Sequence, residues 1–293
     1  MTKIHIYIVL IISLLVVACE SDSDIVLRPA SQSAVMTSFI YVDSVATVNV
    51  YGAVSVSDTQ RIATLGDVEV KLTCGDISRL HYLEEGETRA LFADMTLREG
   101  DTVEVRSSYA DKALMARTYI PTTPHINSVD TLYNSLYGLL YLYIDFTDSV
   151  STTDYYQLVV RRKYTTQEGK AVEEEMKCNY YDYLFYQATV GLSNVMTGLF
   201  TDETINGKSY TLKLSVPYDD IWRNVPEGDS VAIEVDLHHH TEEYYNYARS
   251  AAAVDSYLLL PVFINTIIYS NVSGGFGIVS GMAHCKETII LNR

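Results

Sequence analysis

The chain is poor in positive charge, cysteine and tryptophan. Its 21 Lys and Arg stand against 37 Asp and Glu, for a net charge of −16. So acidic a surface repels phosphate backbones, which argues against nucleic acid as a partner. It also lacks the basic patch that holds peripheral proteins on anionic lipid. Beyond the first 18 residues no apolar run reaches the roughly 18 residues that span a bilayer. The longest later run, Tyr257 to Ile264, is short and carries Pro261. Catalytic signatures are missing as well: there is no G-x-S-x-G elbow, no H-E-x-x-H, and no cysteine in a protease context. Gly274-Gly275-Phe276-Gly277 lacks the Lys-Ser/Thr and following helix of a phosphate cradle. Those glycines read instead as φ > 0 in a hairpin and close approach to a neighbouring strand. Nothing selects a catalytic pair among the carboxylates, so the expectation is a non-enzymatic protein without a cofactor.

What is present begins at the N-terminus. Lys3, the apolar run Ile4–Val17 and Ala18 directly before Cys19 follow the order of a secretory signal. With cysteine at the cleavage point the stretch resembles a bacterial lipobox, in which Cys19 is acylated and becomes the new N-terminus. One acyl chain binds a membrane marginally and several bind it stably, which suits a multiply acylated lipoprotein cysteine. Glu20–Asp24 is an acidic tether, similar to the export patch of Bacteroidetes-type surface lipoproteins. The expected location is the outer membrane, lipid-anchored and facing the exterior, with a periplasm-facing protein as the alternative. Cys74, Cys178 and Cys285 remain; three is odd, so at most one disulfide forms, and all three read as small apolar residues.

Composition is that of a folded chain: 48% hydrophobic and 20% charged residues. From Ile25 to Pro121 the period is two, as in Val68-Glu69-Val70-Lys71-Leu72. Short β-branched runs broken by Asp43-Ser44, Gly52 and Glu99-Gly100-Asp101 predict an antiparallel sandwich of immunoglobulin size. Pro121 and Pro124 mark an extended linker. The fold class read from this is all-β. Residues 1–18 are the signal, 19–24 the tether, 25–122 the immunoglobulin-like β-sandwich, and 123–293 a second antiparallel β domain with one or two short helices. Strands are expected at Leu139–Phe146, Tyr155–Arg162, Tyr210–Val216, Val231–His238, Thr266–Ser270, Phe276–Gly281 and Thr288–Leu291. A polar bend closed by Gly169-Lys170 is expected before the acidic Glu173-Glu174-Glu175, and a helical turn at Asp219–Arg223. Thr241 as N-cap, acidic Glu242 and Glu243, and apolar residues at helical spacing from Tyr244 predict one longer helix.

The 24 tyrosines fit half-buried strand positions, with an exposed stacking surface for sugars or peptides as the sharper reading. His238-His239-His240 is the one cluster of metal-ligand residues. His238, His240 and Asp236 share a strand face and are the metal candidates, though exposed loop histidines are the preferred reading. Five Asp-Ser/Thr-apolar triplets are each expected at a turn entering a strand, where Asp and Ser are favoured anyway, and the turn alone explains them. They also resemble the O-glycosylation acceptor pattern of exported Bacteroidetes-type proteins, a resemblance that implies glycan sites at Ser44, Thr102, Thr131, Ser149 and Ser230.

Three stretches resemble a lipoprotein family called domain-of-unknown-function family 4249. They are Phe200-Thr201-Asp202-Glu203 with Asn206-Gly207-Lys208-Ser209-Tyr210, then Glu243-Tyr244-Tyr245-Asn246-Tyr247, then Tyr269-Ser270-Asn271-Val272 with Gly274-Gly275-Phe276-Gly277-Ile278. The resemblance implies an outer-membrane lipoprotein, often encoded beside TonB-dependent transporters, and brings no activity or catalytic residue. The expected function is therefore a surface lipoprotein that binds a ligand or partner as an accessory of such a transporter. An adhesin or fimbria-like component is the alternative, and a hydrolase with an unrecognised carboxylate pair the further one.

Overall fold

The computed structural model describes residues 33–54, 62–109, 112–149, 153–187, 198–257 and 267–293. The signal, Cys19 and the acidic tether lie outside them. Period-two alternation becomes strand throughout. β1 (Ala34–Tyr41) buries Ala34, Met36 and Ile40, β2 (Ala46–Gly52) buries Val48 and Val50, and β3 (Val68–Cys74) buries Val68, Val70 and Leu72. β4 (Ile77–Leu83), β5 (Arg89–Phe92), β6 (Thr102–Tyr109) and β7 (Lys112–Tyr119) complete the first half. After residues 121–124, which carry no regular structure, come β8 (His125–Asn134), β9 (Leu139–Thr147), β10 (Tyr155–Thr165), β11 (Ala171–Glu175) and β12 (Asn179–Tyr180). Helix α1 (Tyr183–Gln187), β13 (Leu199–Thr201), β14 (Ser209–Pro217), α2 (Tyr218–Trp222), β15 (Ser230–His240), α3 (Glu242–Tyr257) and β16 (Phe276–Asn292) close the order.

Strands β4-β3-β6-β7 form one four-stranded sheet and β12-β14-β9-β8 another. The third sheet runs β11-β10-β15-β16-β1-β2-β5, with β13 attached to β10. One of its halves faces each four-stranded sheet, giving an immunoglobulin-like sandwich and a second β sandwich with separate cores. Met36, Val48, Val70, Val105 and Ile120 belong to the first core, and Ile144, Leu158, Leu214 and Val235 to the second.

A single strand joins the two halves. The first residues of β16, Phe276 to Met282, pair parallel with β1. From Met282 to Asn292 it pairs antiparallel with β15 instead. Met282, opposite both Tyr41 and His240, is the handover. The two C-terminal strands expected from sequence are thus one strand of 17 residues.

Other expectations need correction. Residues 267–270 carry no strand. The polar bend does fall at residues 167–169, and the acidic run after it, for which the sequence predicts no element, is strand β11, with Glu173–Glu175 paired with Arg161–Lys163. The pairing lets an acidic run hold a strand, because the glutamates sit across from cations that neutralise them. Three helices are present among the described residues, one more than expected at most. The long one begins where Thr241 predicts it. The Thr241 hydroxyl, however, pairs with Ser280 Oγ at 3.0 Å.

Candidate functional site

Strand β15 organises the polar chemistry, and its two faces carry different sites. The exposed-loop reading of the histidines is wrong. His238, His239 and His240 are 8%, 4% and 2% exposed. They continue β15, are paired with β10 on one side and β16 on the other, and lie near the start of α3.

Asp236, His238 and His240 do share one face. Asp236 and His238 are joined there by His284 from β16, which sequence spacing alone does not reveal. Asp236 Oδ2 accepts from Arg161 Nη1 at 2.8 Å, and Oδ1 lies 2.8 Å from His284 Nδ1. His238 Nε2 sits 3.1 Å from Oδ2 and Lys286 Nζ 3.5 Å from it. Burial alone would raise the Asp236 pKa, but these donors, His238 foremost, hold the carboxyl far below its ordinary range. Arg161 and Lys286 supply the positive charge that a metal would bring, so Asp236 reads as the hub of an ion-pair network. Glu234 extends that network, accepting from Lys163 at 2.6 Å and Lys286 at 3.1 Å.

His240 stands apart from the Asp236 carboxylate. Its ring stacks on Tyr244 of α3 at 3.8 Å, and Nε2 lies 3.2 Å from Gln157 Oε1. A carbonyl oxygen only accepts, so Nε2 carries the proton and Nδ1 is left bare. Burial, then the His238 and His239 rings, hold its pKa well below the ordinary 6.5, while Asp236 opposes. The folded protein therefore resists a proton that the unfolded chain takes up, and stability falls with pH below about 6.5, approaching about 1.4 kcal/mol per pH unit. Urea midpoints measured at pH 7.5 and 5.5 should drop for the wild type. In His240→Gln the drop should shrink; an equal drop in both would assign the acid sensitivity to other groups.

The opposite face of β15 carries His239, whose ring lies 5.0 Å from that of Tyr156. Nδ1 lies 2.8 Å from the Thr122 carbonyl, and Nε2 points to Asp154 Oδ1 at 3.4 Å. Asp154 belongs to a second group, with Asp148 and Asp202. Their carboxylate oxygens lie within 4.8 Å of one another, and exposures are 3%, 4% and 0% for Asp148, Asp154 and Asp202. Two chain segments build this group. Asp148 N donates to Lys208 O, Asp202 N to Asp154 O, and Gly207 N to Asp148 Oδ2 at 2.8 Å. Tyr156 OH donates to Asp148 Oδ1 at 2.7 Å. Burial pushes the Asp202 carboxyl up to about 7; the amide of Asp154 opposes this, and the charges of Asp148 and Asp154 add to it. Asp148 heads the Ser149 triplet and Asp202 lies in a stretch of the family resemblance, but nothing in the sequence marks any of the three as part of one group. Two aspartates six positions apart and a third at 202, among 37 acids, carry no signal until the strands close.

The remaining sequence candidates are dispersed. Ser44, Thr102, Ser149 and Ser230 are exposed at strand ends or turns. Thr131 is exposed too, but it lies inside β8 rather than at a turn, opposite Leu142. Cys74, Cys178 and Cys285 are all free thiols, of which Cys178 alone is buried. Most described tyrosines are half-buried or buried, as strand positions require. Tyr82, Tyr119, Tyr133, Tyr137, Tyr181 and Tyr183 are exposed.

No curated protein sequence matches the chain. Two solved structures cover 90% of it over their full length. One is a two-domain fibronectin type III segment of chicken tenascin, at 9% identity and a TM-score of 0.24. The other is a "putative carbohydrate binding protein from Bacteroides uniformis", at 8% identity and the same TM-score. A family model describes residues 23–288 as a domain of unknown function, and on that match the chain belongs to the DUF4249 family.

Proposed function

We propose that the protein is a lipoprotein of the outer membrane, anchored by acylated Cys19, that binds a ligand or partner at the cell surface as an accessory to a TonB-dependent transporter. The observation that carries this is the lipobox at Leu15–Cys19. No helix among the described residues is long and apolar enough to cross a membrane, so lipid on Cys19 is the anchor this reading requires. The transporter link rests on the resemblance set out above. A binding role is supported by the tip of the β8–β9 hairpin, where Leu132, Tyr133, Leu136 and Tyr137 are exposed together. Tyr133 packs on Tyr218 with ring centroids 4.1 Å apart, so the tip is a pre-ordered apolar surface. The aspartates of the buried group are too enclosed to reach a polymeric substrate, so they do not support the hydrolase reading.

Cys19→Ser should release the protein from the membrane fraction, lowering its membrane association about tenfold or more, since no acyl chain is then attached. A variant that still sediments with the outer membrane would overturn the lipoprotein reading. Affinity capture of the lipidated wild type should recover an outer-membrane transporter. Leu136→Ala with Tyr137→Ala should weaken that recovery if the hairpin tip is the contact.

A second reading, as an adhesin or assembly component, has one observation behind it. β8 is a ten-residue strand at the edge of its sheet, with a bulge near Ile126, paired along its length with β9 and, among the described residues, with no strand on its outer edge. Such an edge is a template for strand addition. Sedimentation of the mature protein decides: concentration-dependent assembly favours this reading, and a monomer at all concentrations removes it.

A further inference from the structure

From the geometry of the buried aspartate group we infer that Asp148, Asp154 and Asp202 form an oxygen-donor site for a divalent cation of the calcium class. The group has what an accidental acidic patch lacks. All three carboxylates are buried, and their oxygens converge to within 4.8 Å. Asp202 is fully buried, yet its Oδ2 meets no hydrogen-bond donor. An unsatisfied carboxylate oxygen in the interior is costly, and buried charges in proteins are paired or coordinate metals. Its other oxygen, Oδ1, accepts from the Asp154 amide at 2.9 Å, which fixes the carboxylate so that the bare oxygen belongs to the group.

Charge points the same way. Among the described residues, no lysine or arginine forms an ion pair with Asp148 or Asp202, and Asp154 faces the His239 ring. Two carboxylates are thus left without a counter-charge, which is the charge of one divalent ion. The contrast with Asp236 on the other face of β15 is direct. That carboxylate is surrounded by Arg161, Lys286 and two histidines and has no vacancy for a cation.

Donor chemistry selects the class. Carboxylate oxygens without thiolate suit hard cations. Calcium accepts several protein oxygens in irregular geometry, whereas magnesium holds to an octahedron and keeps several waters, which a group this enclosed has little room for. The ligands come from residues 148 and 154, around the β9–β10 connection, and from residue 202, which leads into the 202–208 turn. A bound ion would therefore tie the two connections together.

The test uses the mature protein, metal-stripped with EDTA and titrated with TbCl3. Tyr156 OH lies 2.7 Å from Asp148 and is placed to sensitise terbium emission. We expect one saturable, EDTA-reversible site from which CaCl2 displaces terbium at lower concentration than MgCl2. Asp202→Asn, close in shape, should weaken terbium and calcium at least about tenfold, the loss of roughly 1.4 kcal/mol expected when a charged ligand is removed. The melting temperature of the wild type should rise by about 5 °C in saturating CaCl2 over EDTA, and Asp202→Asn should lose that rise. In EDTA that variant should melt no lower than the wild type, because it removes an uncompensated buried charge. No saturable terbium signal, together with equal melting in CaCl2 and EDTA, would overturn the site. So would calcium binding that is unchanged in Asp202→Asn, since the ion would then sit elsewhere.

Discussion

Gly277→Ala should cost at least about 4 kcal/mol and leave little folded protein at 37 °C, because the strand that joins the two sandwiches cannot hold a Cβ there. Gly277 has φ +124°, and a Cβ on it would stand 2.0 Å from Met36 O, 2.8 Å from Met36 C and 3.0 Å from Met36 N. Every obstacle is backbone, so no side chain can swing away. Relief would require β16 to leave β1, which dismantles the register from Val35↔Phe276 to Tyr41↔Met282. Gly281 repeats the constraint against Tyr119 O at 2.0 Å. Gly75→Ala is the control: its φ of +55° carries the left-handed penalty, but nothing lies within 4 Å. That change should cost about 1 kcal/mol. Guanidinium melts of the two variants separate the readings. Equal losses would mean that backbone conformation alone, rather than the close pairing of β16 with β1, makes Gly277 necessary.

The glycine motif shows how much of the fold was legible. Close backbone approach and φ > 0 could be inferred from Gly274-Gly275-Phe276-Gly277, and both occur: Gly274 has φ +81°, and a Cβ on Gly275 would meet Ala34 O at 2.4 Å. The partner could not be inferred. Local reading expects a hairpin, whereas β16 pairs with β1 from the other end of the described chain. Strand alternation reports which face a residue takes and not which strand lies beside it, so pairing at long sequence separation leaves no local trace. For the same reason the alternating core residues of β1, β3 and β9 were readable, while the handover at Met282 was not.

The site was less legible than the fold. Asp236 and His238 were placed on one face by period two alone, and they are there. His284 arrives only because β16 runs antiparallel to β15, and Arg161 only because β10 does. The histidine run looked like a polar strand end because composition was weighed against an assumed strand terminus at His238. Two more residues of pairing, His239↔Ala283 and His240↔Met282, turn an exposed loop into interior. Asp202 lies in a stretch that carries the family resemblance, and the Asp, Asn and Gly residues there suit a turn. That part is right, since Ile205 N donates to Asp202 O at 2.7 Å. Its side chain points inward, which turn propensity does not encode.

Arg162→Ala is expected to destabilise by about 3 kcal/mol, and the reason lies in what the guanidinium leaves behind. Arg162 is 4% exposed on β10. Nη1 donates to Ile221 O at 3.0 Å and to Arg223 O at 2.7 Å, satisfying carbonyls at the end of α2 that the short helix cannot satisfy itself. Nε and Nη2 both reach Glu174 Oε2, at 3.1 and 2.6 Å, and the guanidinium carbon stands 4.5 Å from the centre of the Tyr164 ring. Alanine would strand two carbonyls and open space beside Tyr164, while Glu174, with 45% of its side chain exposed, would turn to water. Glu174→Gln should therefore cost less than about 1 kcal/mol, as exposed pairs do. Arg162→Lys, with one ammonium in place of a fork, should recover only part of the loss. Urea denaturation of the three variants orders these contributions. If Glu174→Gln matches Arg162→Ala, the ion pair to β11 and not the clamp on the α2 carbonyls carries the contribution of Arg162.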